Sequence, residues 1–488
     1  MFQKKEWLVI SLIGLVYVVY ILLRAWLLPI THDEGATCLN HVQRSLWDIL
    51  TYEKDPVPNN HILNTLGIKI FASFLGLGHF SARLPSLIGG VLYVLAAAGL
   101  SVRIGKTAFQ RVFGMVLLLA NPYVTEFFSL ARGYGLAAGL MLAAIYFAYR
   151  YLETHRLGTL AGSMTFALLA VMANFTLLNF FAPFWAVLLI VWISKPSRRW
   201  SGLWPLALFP LLLALLSYLP VTRMAATDQF RFWGVTSFYS ETLIPLLRAS
   251  LDNRHYLGAR SDHYFAYLIA GLSVLGWLLA LWRWGAKRFR VDASDPFIFA
   301  AMIFCGAFLT NMLQAWFLQV PFLNSRTAVF YYPLFAFQLF SGAVILGSRF
   351  KWPSYLVLGS ISSALLVNFL ICANLFHTYD WGFDANTFRV LQYIREQHQE
   401  ERRDTPFSLD TQWLEENSFN FHVHEKHNGN YSTWVVMPPW HPDRPPAADN
   451  SDFYFTHVEA EVTQLAGRYL VVWTYRDPGM TWWLMRRK

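Results

Sequence analysis

The stretch Thr31-His32-Asp33-Glu34-Gly35 sets two adjacent carboxylates at the exit of a long apolar run, residues 1–30. An ionised carboxylate is strongly disfavoured away from water, so a pair at a bilayer boundary needs a compensating role. A carboxylate placed there can accept the proton that an attacking hydroxyl or amine must lose. The matching cations come from distant stretches: Arg83 in RLPSLIGGVLY, Arg132 in TEFFSLARGYG, and Arg326 in VPFLNSRTAVFYYPLF. Arginine suits phosphate because its planar fork binds two oxygens at once. Glu126 lies in the same stretch as Arg132, and Asn59, Asn60 and His61 occupy PNNHILNTLGIK.

Each residue also has an ordinary structural explanation. Arg24 and Arg83 stand at helix ends, where arginines snorkel to headgroups. Glu126 and Arg132 could pair across one turn. His61 could cap a helix or form a satisfied hydrogen bond. Asp33 could cap a helix that follows it. Most of the aromatics read as lipid-facing and interfacial belts.

The elements that must position these residues are membrane helices. The 488 residues are 55% hydrophobic, 17% aromatic and 14% charged, against about 25% charged in soluble chains. Apolar blocks predict spans at 7–28, 81–101, 108–127, 134–151, 158–175, 178–194, 202–219, 264–283, 296–318, 327–347 and 354–376. The first block is too long for a signal-peptide core, and no small-x-small cleavage site follows it.

The formal charge of +9 does not indicate nucleic acid. Basic clusters occupy alternate short loops: Lys4 and Lys5; Arg103, Lys106 and Arg111; Arg150 and Arg156; Lys195, Arg198 and Arg199; Arg283, Lys287, Arg288 and Arg290; Arg349 and Lys351. That bias predicts cytoplasmic loops there, a cytoplasmic N-terminus and an extracytoplasmic C-terminus. Cys38, Cys305 and Cys372 make no disulfide framework.

Residues 59–78 are apolar enough to resemble a span, but a span there would put the arginine-rich loops outside. They are read instead as a surface helix whose apolar face is Ile62, Leu66, Ile70 and Phe74. A second surface helix is predicted from Val42, Leu46, Ile49 and Leu50, so the external loop 29–80 is structured. Another external loop, 220–263, carries Arg223, Arg231, Arg248, Arg254 and Arg260. After residue 376 the chain turns polar, with HVHEKHNGN and PPWHPDRPPAAD. DFYFTH and RYLVVWTY read as strands and 385–399 as a helix, which predicts a small α/β domain over 377–488 following a membrane domain over 1–376.

The order of THDEG, a structured loop, PNNHILNTLGIK, RLPSLIGGVLY, NPYVTEFFSLARGYG and PFLNSRTAVFYYPLF resembles the GT-C superfamily of membrane glycosyltransferases. The likeness is to the branch with protein O-mannosyltransferases and the lipid A aminoarabinose transferase, and it covers residues 1–376. It implies a polytopic α-helical fold of about 11 membrane helices and an inverting transferase of the cell envelope. The implied donor is a hexose or pentose on a polyprenyl phosphate. The implied acceptor is a lipid, glycan or protein. By resemblance Asp33 is the catalytic base, with Glu34 beside it. Asn60, His61, Arg83, Glu126, Arg132, Tyr134 and Arg326 are the implied substrate-binding residues. Glu126 stands where relatives carry a second acid, though in a different local pattern. Some relatives bind a divalent metal; Glu53, Asp55 and His61 are the candidates here.

Leaving-group charge grows on the phosphate as the glycosidic bond breaks, and one preorganised cation contact there is worth ~3–4 kcal/mol. A lipid tail pins that phosphate at headgroup level, which explains two acids at a membrane exit. No G-x-G-x-x-G or P-loop pattern points to a nucleotide-sugar donor. A transporter or flippase of lipid-linked sugars is the alternative, but no inverted repeat accompanies it.

Overall fold

The computed structural model describes residues 4–194, 200–231, 234–425, 431–438, 450–477 and 479–488. The basic cluster at 195–199, the end of HVHEKHNGN and most of the proline-rich stretch lie outside the described residues. Among them, nine helices are long and apolar enough to cross a membrane, from Lys5–Leu27 to Lys351–Cys372. Every predicted span lies on a helix, but Ala108–Leu119 and Leu157–Ala173 are shorter apolar helices.

The third predicted span ends early for a local reason. Asn121 interrupts the helix, its side chain accepts the Val124 N–H at 2.9 Å, and Pro122 opens a new short helix, Pro122–Phe127. Asn and Pro in that order are a cap followed by a first-turn proline. This break carries Tyr123 and Glu126 away from the Ala108–Leu119 axis.

The segment 59–78 forms the helix Ile62–Leu75. Fourteen residues rise about 21 Å, short of a hydrocarbon core of about 30 Å. Its predicted face is split: Ile62 is buried, whereas Ile70 and Phe74 are exposed. The polar Asn64 and Thr65 are buried instead, with Asn64 donating to the Ala131 carbonyl at 3.1 Å. The second predicted surface helix is also divided. A helical turn ends at His41, Val42 lies in the connection, and Leu46–Thr51 forms a separate short helix.

The helices His79–Ile104 and Gly133–Thr154 pack tightly, because a Cβ on Gly89 would fall 2.5 Å from the Leu136 backbone. That approach needs glycine, as small residues do wherever membrane helices touch closely. It brings the starts of these two helices together, where Ser86 Oγ donates to the Arg132 carbonyl at 3.0 Å. At the other ends of the spans the basic clusters meet acids, Arg111 with Glu6 at 2.6 Å and Arg103 with Glu153 at 2.7 Å.

Beyond Cys372 the chain builds a mixed sheet from β1 (Phe407–Thr411), β2 (Val435–Val436), β3 (Phe453–Thr456), β4 (Tyr469–Asp477) and β5 (Met480–Arg487) in the order β2-β1-β3-β5-β4. β1 runs parallel to β2 and β3, and β5 pairs antiparallel with β3 and β4. The period of two sends Phe453 and Phe455 to one core and Tyr454 to another. The helix Thr387–Glu400 covers the first core with Val390, Leu391 and Ile394. A helix absent from the sequence reading, Trp413–His424, lies between this sheet and the loop that holds Asp33.

Candidate active site

Three distant stretches meet at Asp33. Arg132 Nη2 lies 3.3 Å and Arg326 Nη2 3.2 Å from Asp33 Oδ2. Arg132 precedes the helix Gly133–Thr154, and Arg326 sits in the turn Ser325–Ala328 before Tyr331–Arg349. The crevice is partly open: the side chains of Asp33 and Arg326 keep 20% and 21% of their exposure, while Arg132 keeps 3%. Burial raises the Asp33 carboxyl, but Arg132 and Arg326 outweigh it and hold the group below its ordinary range.

Glu34, one residue on, is sealed. Arg83 donates to both of its oxygens at 2.9 and 2.8 Å, the Thr31 N–H adds a bond at 2.8 Å, and the Ala131 N–H adds a fourth. Thr31 caps the short helix His32–Ala36 and Glu34 returns to the Thr31 N–H, which is a reciprocal capping box. The capping residue is therefore Thr31, not Asp33. Arg83 spends its remaining donors on the carbonyls of Ala25, Leu28 and Pro29. Neither Glu34 nor Arg83 has exposed side-chain surface, so neither can touch a substrate in this conformation.

The other expected site residues divide. Tyr134 lines the arginine crevice, its ring 5.8 Å from the Arg132 guanidinium. His61 packs edge-on against Tyr134 at 5.2 Å, with Nε2 buried and unbonded. Burial, then Arg132, His41 and Arg326, hold that ring well below the ordinary histidine range and so neutral. The Asn60 side chain points elsewhere: its Nδ2 donates to Ile49 O at 3.0 Å, and the Asn60 backbone carbonyl accepts the Tyr52 hydroxyl. Its neighbour Asn59 is the one at the site, accepting from Arg132. Glu126 faces away from Arg132. It lies 3.6 Å from Arg24 and accepts the Tyr379 N–H at 2.9 Å. Glu126, expected among the substrate-binding residues, is thus engaged by Arg24 and Tyr379 instead, and the alternative pairing with Arg132 does not form, because the helix breaks at Asn121.

The sequence reading missed Asp380 and Trp381, which follow the last long helix in TYDWGFD. Trp381 lies under Arg326 at 4.8 Å and Arg132 at 5.9 Å. It holds both guanidiniums by cation–π contact while leaving their N–H edges directed at Asp33. Asp380 accepts the Tyr123 hydroxyl at 2.7 Å, and that hydroxyl also meets Ser325 Oγ at 2.8 Å. Burial pushes the Asp380 carboxyl above its ordinary range against the pull of Arg326. The signal was available: acids with aromatics directly after a membrane helix is the same pattern as THDEG.

An apolar cavity of about 840 Å³ opens among the membrane helices; Asp33, Arg132, Arg326 and Trp381 do not line it. Its walls include Leu268, Trp277, Phe304, Phe308, Tyr331 and Ile361 from four membrane helices. Its polar rim includes Asn121, Thr242 and Ser250. Thr242 donates to Leu323 O at 2.5 Å, just before the Arg326 turn.

The expected metal ligands do not gather. Glu53 is exposed, Asp55 is engaged by Arg44 at 3.2 Å and His41 at 4.0 Å, and His61 is packed against Tyr134. Among the described residues, the one His, Cys, Asp or Glu group spaced for a metal is His79, His422 and Glu425. Its hydrogen bonds do not suit one. The Ile30 N–H donates to His422 Nε2 at 3.0 Å, so the ring proton sits on Nδ1 and points to Glu425 at 2.9 Å. A metal on Nδ1 would drive that proton to Nε2, against the Ile30 N–H.

No family model and no curated protein matches the chain. Solved structures do match. ArnT from Cupriavidus metallidurans bound to undecaprenyl phosphate is 14% identical over 99% of this chain and 98% of that one, with a TM-score of 0.49. An Archaeoglobus fulgidus oligosaccharyltransferase in complex with zinc and sulfate is 11% identical over 97% of this chain and 72% of that one, with a TM-score of 0.47. The arabinosyltransferase EmbB from Mycobacterium smegmatis is 15% identical over 78% of this chain and 43% of that one, with a TM-score of 0.34.

Proposed function

We propose that this membrane protein is an inverting GT-C glycosyltransferase. It moves a sugar from a polyprenyl phosphate to a hydroxyl or amine of a lipid, glycan or protein acceptor. The observation that carries the reading is one partly open carboxylate, Asp33, held between Arg132 and Arg326, with an apolar cavity lined in part by Tyr331, five residues after Arg326. The cavity takes the prenyl chain and the arginines take the phosphate. The positive-inside bias supports an extracytoplasmic crevice, a cytoplasmic N-terminus and an extracytoplasmic domain over residues 377–488.

In the reaction the acceptor oxygen or nitrogen attacks the anomeric carbon opposite the phosphate. The bond from that carbon to the phosphate oxygen breaks, and polyprenyl phosphate leaves with the bonding electrons. Asp33 takes the acceptor's proton, and a single displacement inverts the carbon. Asp33 and the incoming phosphate compete for the same guanidiniums. Phosphate binding therefore draws Arg132 and Arg326 from Asp33 and raises its basicity where a base is needed. Glu34 and Arg83 fix the loop rather than react.

The test is transfer of label from a panel of polyprenyl-phosphate sugars to membrane acceptors by the purified full chain. Loss of transfer in Asp33→Asn, with folding intact, supports the reading. Undiminished turnover in that variant ends it, and sugar flipping in proteoliposomes without product supports the transporter instead.

A further inference from the structure

The carboxyl-terminal part of the chain reads the backbone of the Asp33 loop directly. Ile30, three residues before Asp33, is fully buried, and both its peptide groups are held by one helix. Ser418 Oγ donates to Ile30 O at 2.5 Å, and the Ile30 N–H donates to His422 Nε2 at 3.0 Å. Ser418 and His422 are four apart on Trp413–His424, so they share a face, spaced to meet the two sides of one residue.

The same helix closes on Gly35, where a Cβ would fall 2.5 Å from Asn417 O. Asp384 adds a third backbone hold, accepting the His32 N–H at 2.7 Å. The loop between Ile30 and Gly35 is thus gripped on both sides of Asp33 by residues more than 340 positions away.

The His422 ring works only in one tautomer. Nε2 must be bare to accept from Ile30, so Nδ1 must carry the proton, and Glu425 Oε2 receives it at 2.9 Å. Glu425 is in turn fixed to the membrane helices. Its Oε1 accepts the His79 N–H at 3.0 Å at the start of His79–Ile104 and lies 3.2 Å from His79 Nδ1. A carboxylate at that helix start is held by bare N–H groups and by the helix dipole. Arg83, one turn along the same helix, holds Glu34. One helix start therefore anchors both the carboxylate that sets His422 and the arginine that sets the loop.

We infer that His422 is a positioning residue for the proposed transfer: its Nε2, set by Glu425, holds Ile30 and so aims Asp33 at the crevice. The inference rests on the glycosyltransferase reading for its consequence in turnover. Its structural half is independent of that reading.

Hydrogen–deuterium exchange of the full chain in detergent tests it without any substrate. His422→Phe fills the space but cannot accept a hydrogen bond, whereas His422→Gln sets an amide oxygen where Nε2 stands. In His422→Phe, exchange at residues 29–35 should rise about tenfold, the size of one lost backbone hydrogen bond, and distant helices should stay protected. His422→Gln should restore protection to within about threefold. Ser418→Ala, which removes only a hydroxyl, should loosen the same segment and serves if His422→Phe does not fold. With a sugar donor, His422→Phe should lower kcat and leave the donor KM unchanged, because Arg132 and Arg326 are untouched. Protected 29–35 amides in both His422→Phe and Ser418→Ala overturn the inference, as does His422→Gln exchanging as fast as His422→Phe. A wild-type chain that transfers no sugar overturns the functional reading and leaves the exchange result standing.

Discussion

Glu34 has no exposed surface, accepts four hydrogen bonds and faces an arginine whose every donor is used. Asp33, one residue earlier, keeps a fifth of its side-chain exposure and shares two arginines from two other parts of the chain. Both are carboxylates paired with guanidiniums at one depth. The first pair is complete and leaves no room for a ligand. The second rests on Trp381 and keeps part of its surface exposed, which is the opening the proposed phosphate would use. What separates the structural ion pair from the one proposed to react is accessibility, not charge.

The sharpest way to break that comparison is to neutralise each acid in turn. Asp33→Asn should reduce transfer ~10²–10⁴-fold, the range for losing a positioned base, while the melting temperature of the detergent-solubilised chain falls only slightly, because the Asp33 ion pairs are partly exposed. Glu34→Gln should do the reverse in kind. Leaving Arg83 buried without its counter-charge costs ~3–5 kcal/mol, so the melting temperature should fall before activity does. Equal thermal loss in both variants would remove the distinction.

A step smaller, Arg326→Lys keeps the charge and loses the planar fork and its place on Trp381. Transfer should fall ~10²-fold or more, as for loss of one preorganised contact to the leaving group. Measuring undecaprenyl phosphate binding by native mass spectrometry separates donor affinity from turnover. Unchanged binding and turnover would move the phosphate site elsewhere.

How far the sequence showed this arrangement depends on how local each signal was. THDEG, Arg132 and Arg326 were legible because charged residues at apolar borders are rare and few partners were available. The span helices were legible from apolar length. The partner of Glu126 was not, because Asn121 and Pro122 break the helix and rotate the acid toward Arg24 and Tyr379. Asn60 was chosen over Asn59 since nothing in PNNH says which amide faces Arg132. Ser418, His422 and Glu425 were invisible as a group. Their partners are backbone groups of Ile30 and His79, and a backbone partner leaves no mark on side-chain patterning.

The pH dependence sharpens the comparison further. The Asp33 carboxyl is raised by burial but lowered more by Arg132 and Arg326, so it stays ionised below the ordinary range. Its contribution to stability and to kcat/KM, which reports the free enzyme, is therefore present above about pH 4 and lost as pH falls below that. If phosphate recruits the arginines, the acid limb of kcat must lie at higher pH than that of kcat/KM. Coincident limbs would show that the arginines never leave Asp33.

The smallest expected effect concerns Glu126, the candidate for the second acid that relatives carry. Glu126 is buried, bonds the Tyr379 N–H with both oxygens and lies beside Arg24, which also reaches the carbonyls of Asn374 and His377. Glu126→Gln keeps one oxygen for the Tyr379 N–H and leaves Arg24 with two carbonyls. Stability should drop by about 1 kcal/mol, the cost of weakening one hydrogen bond, and transfer should stay within about threefold of wild type, since a change near 0.7 kcal/mol is all that ratio represents. The discriminating measurement is kcat at saturating donor. A fall comparable with that of Asp33→Asn would place a second reacting carboxylate at Glu126 and require Tyr379 to move aside for it, because in this conformation its backbone N–H occupies both oxygens.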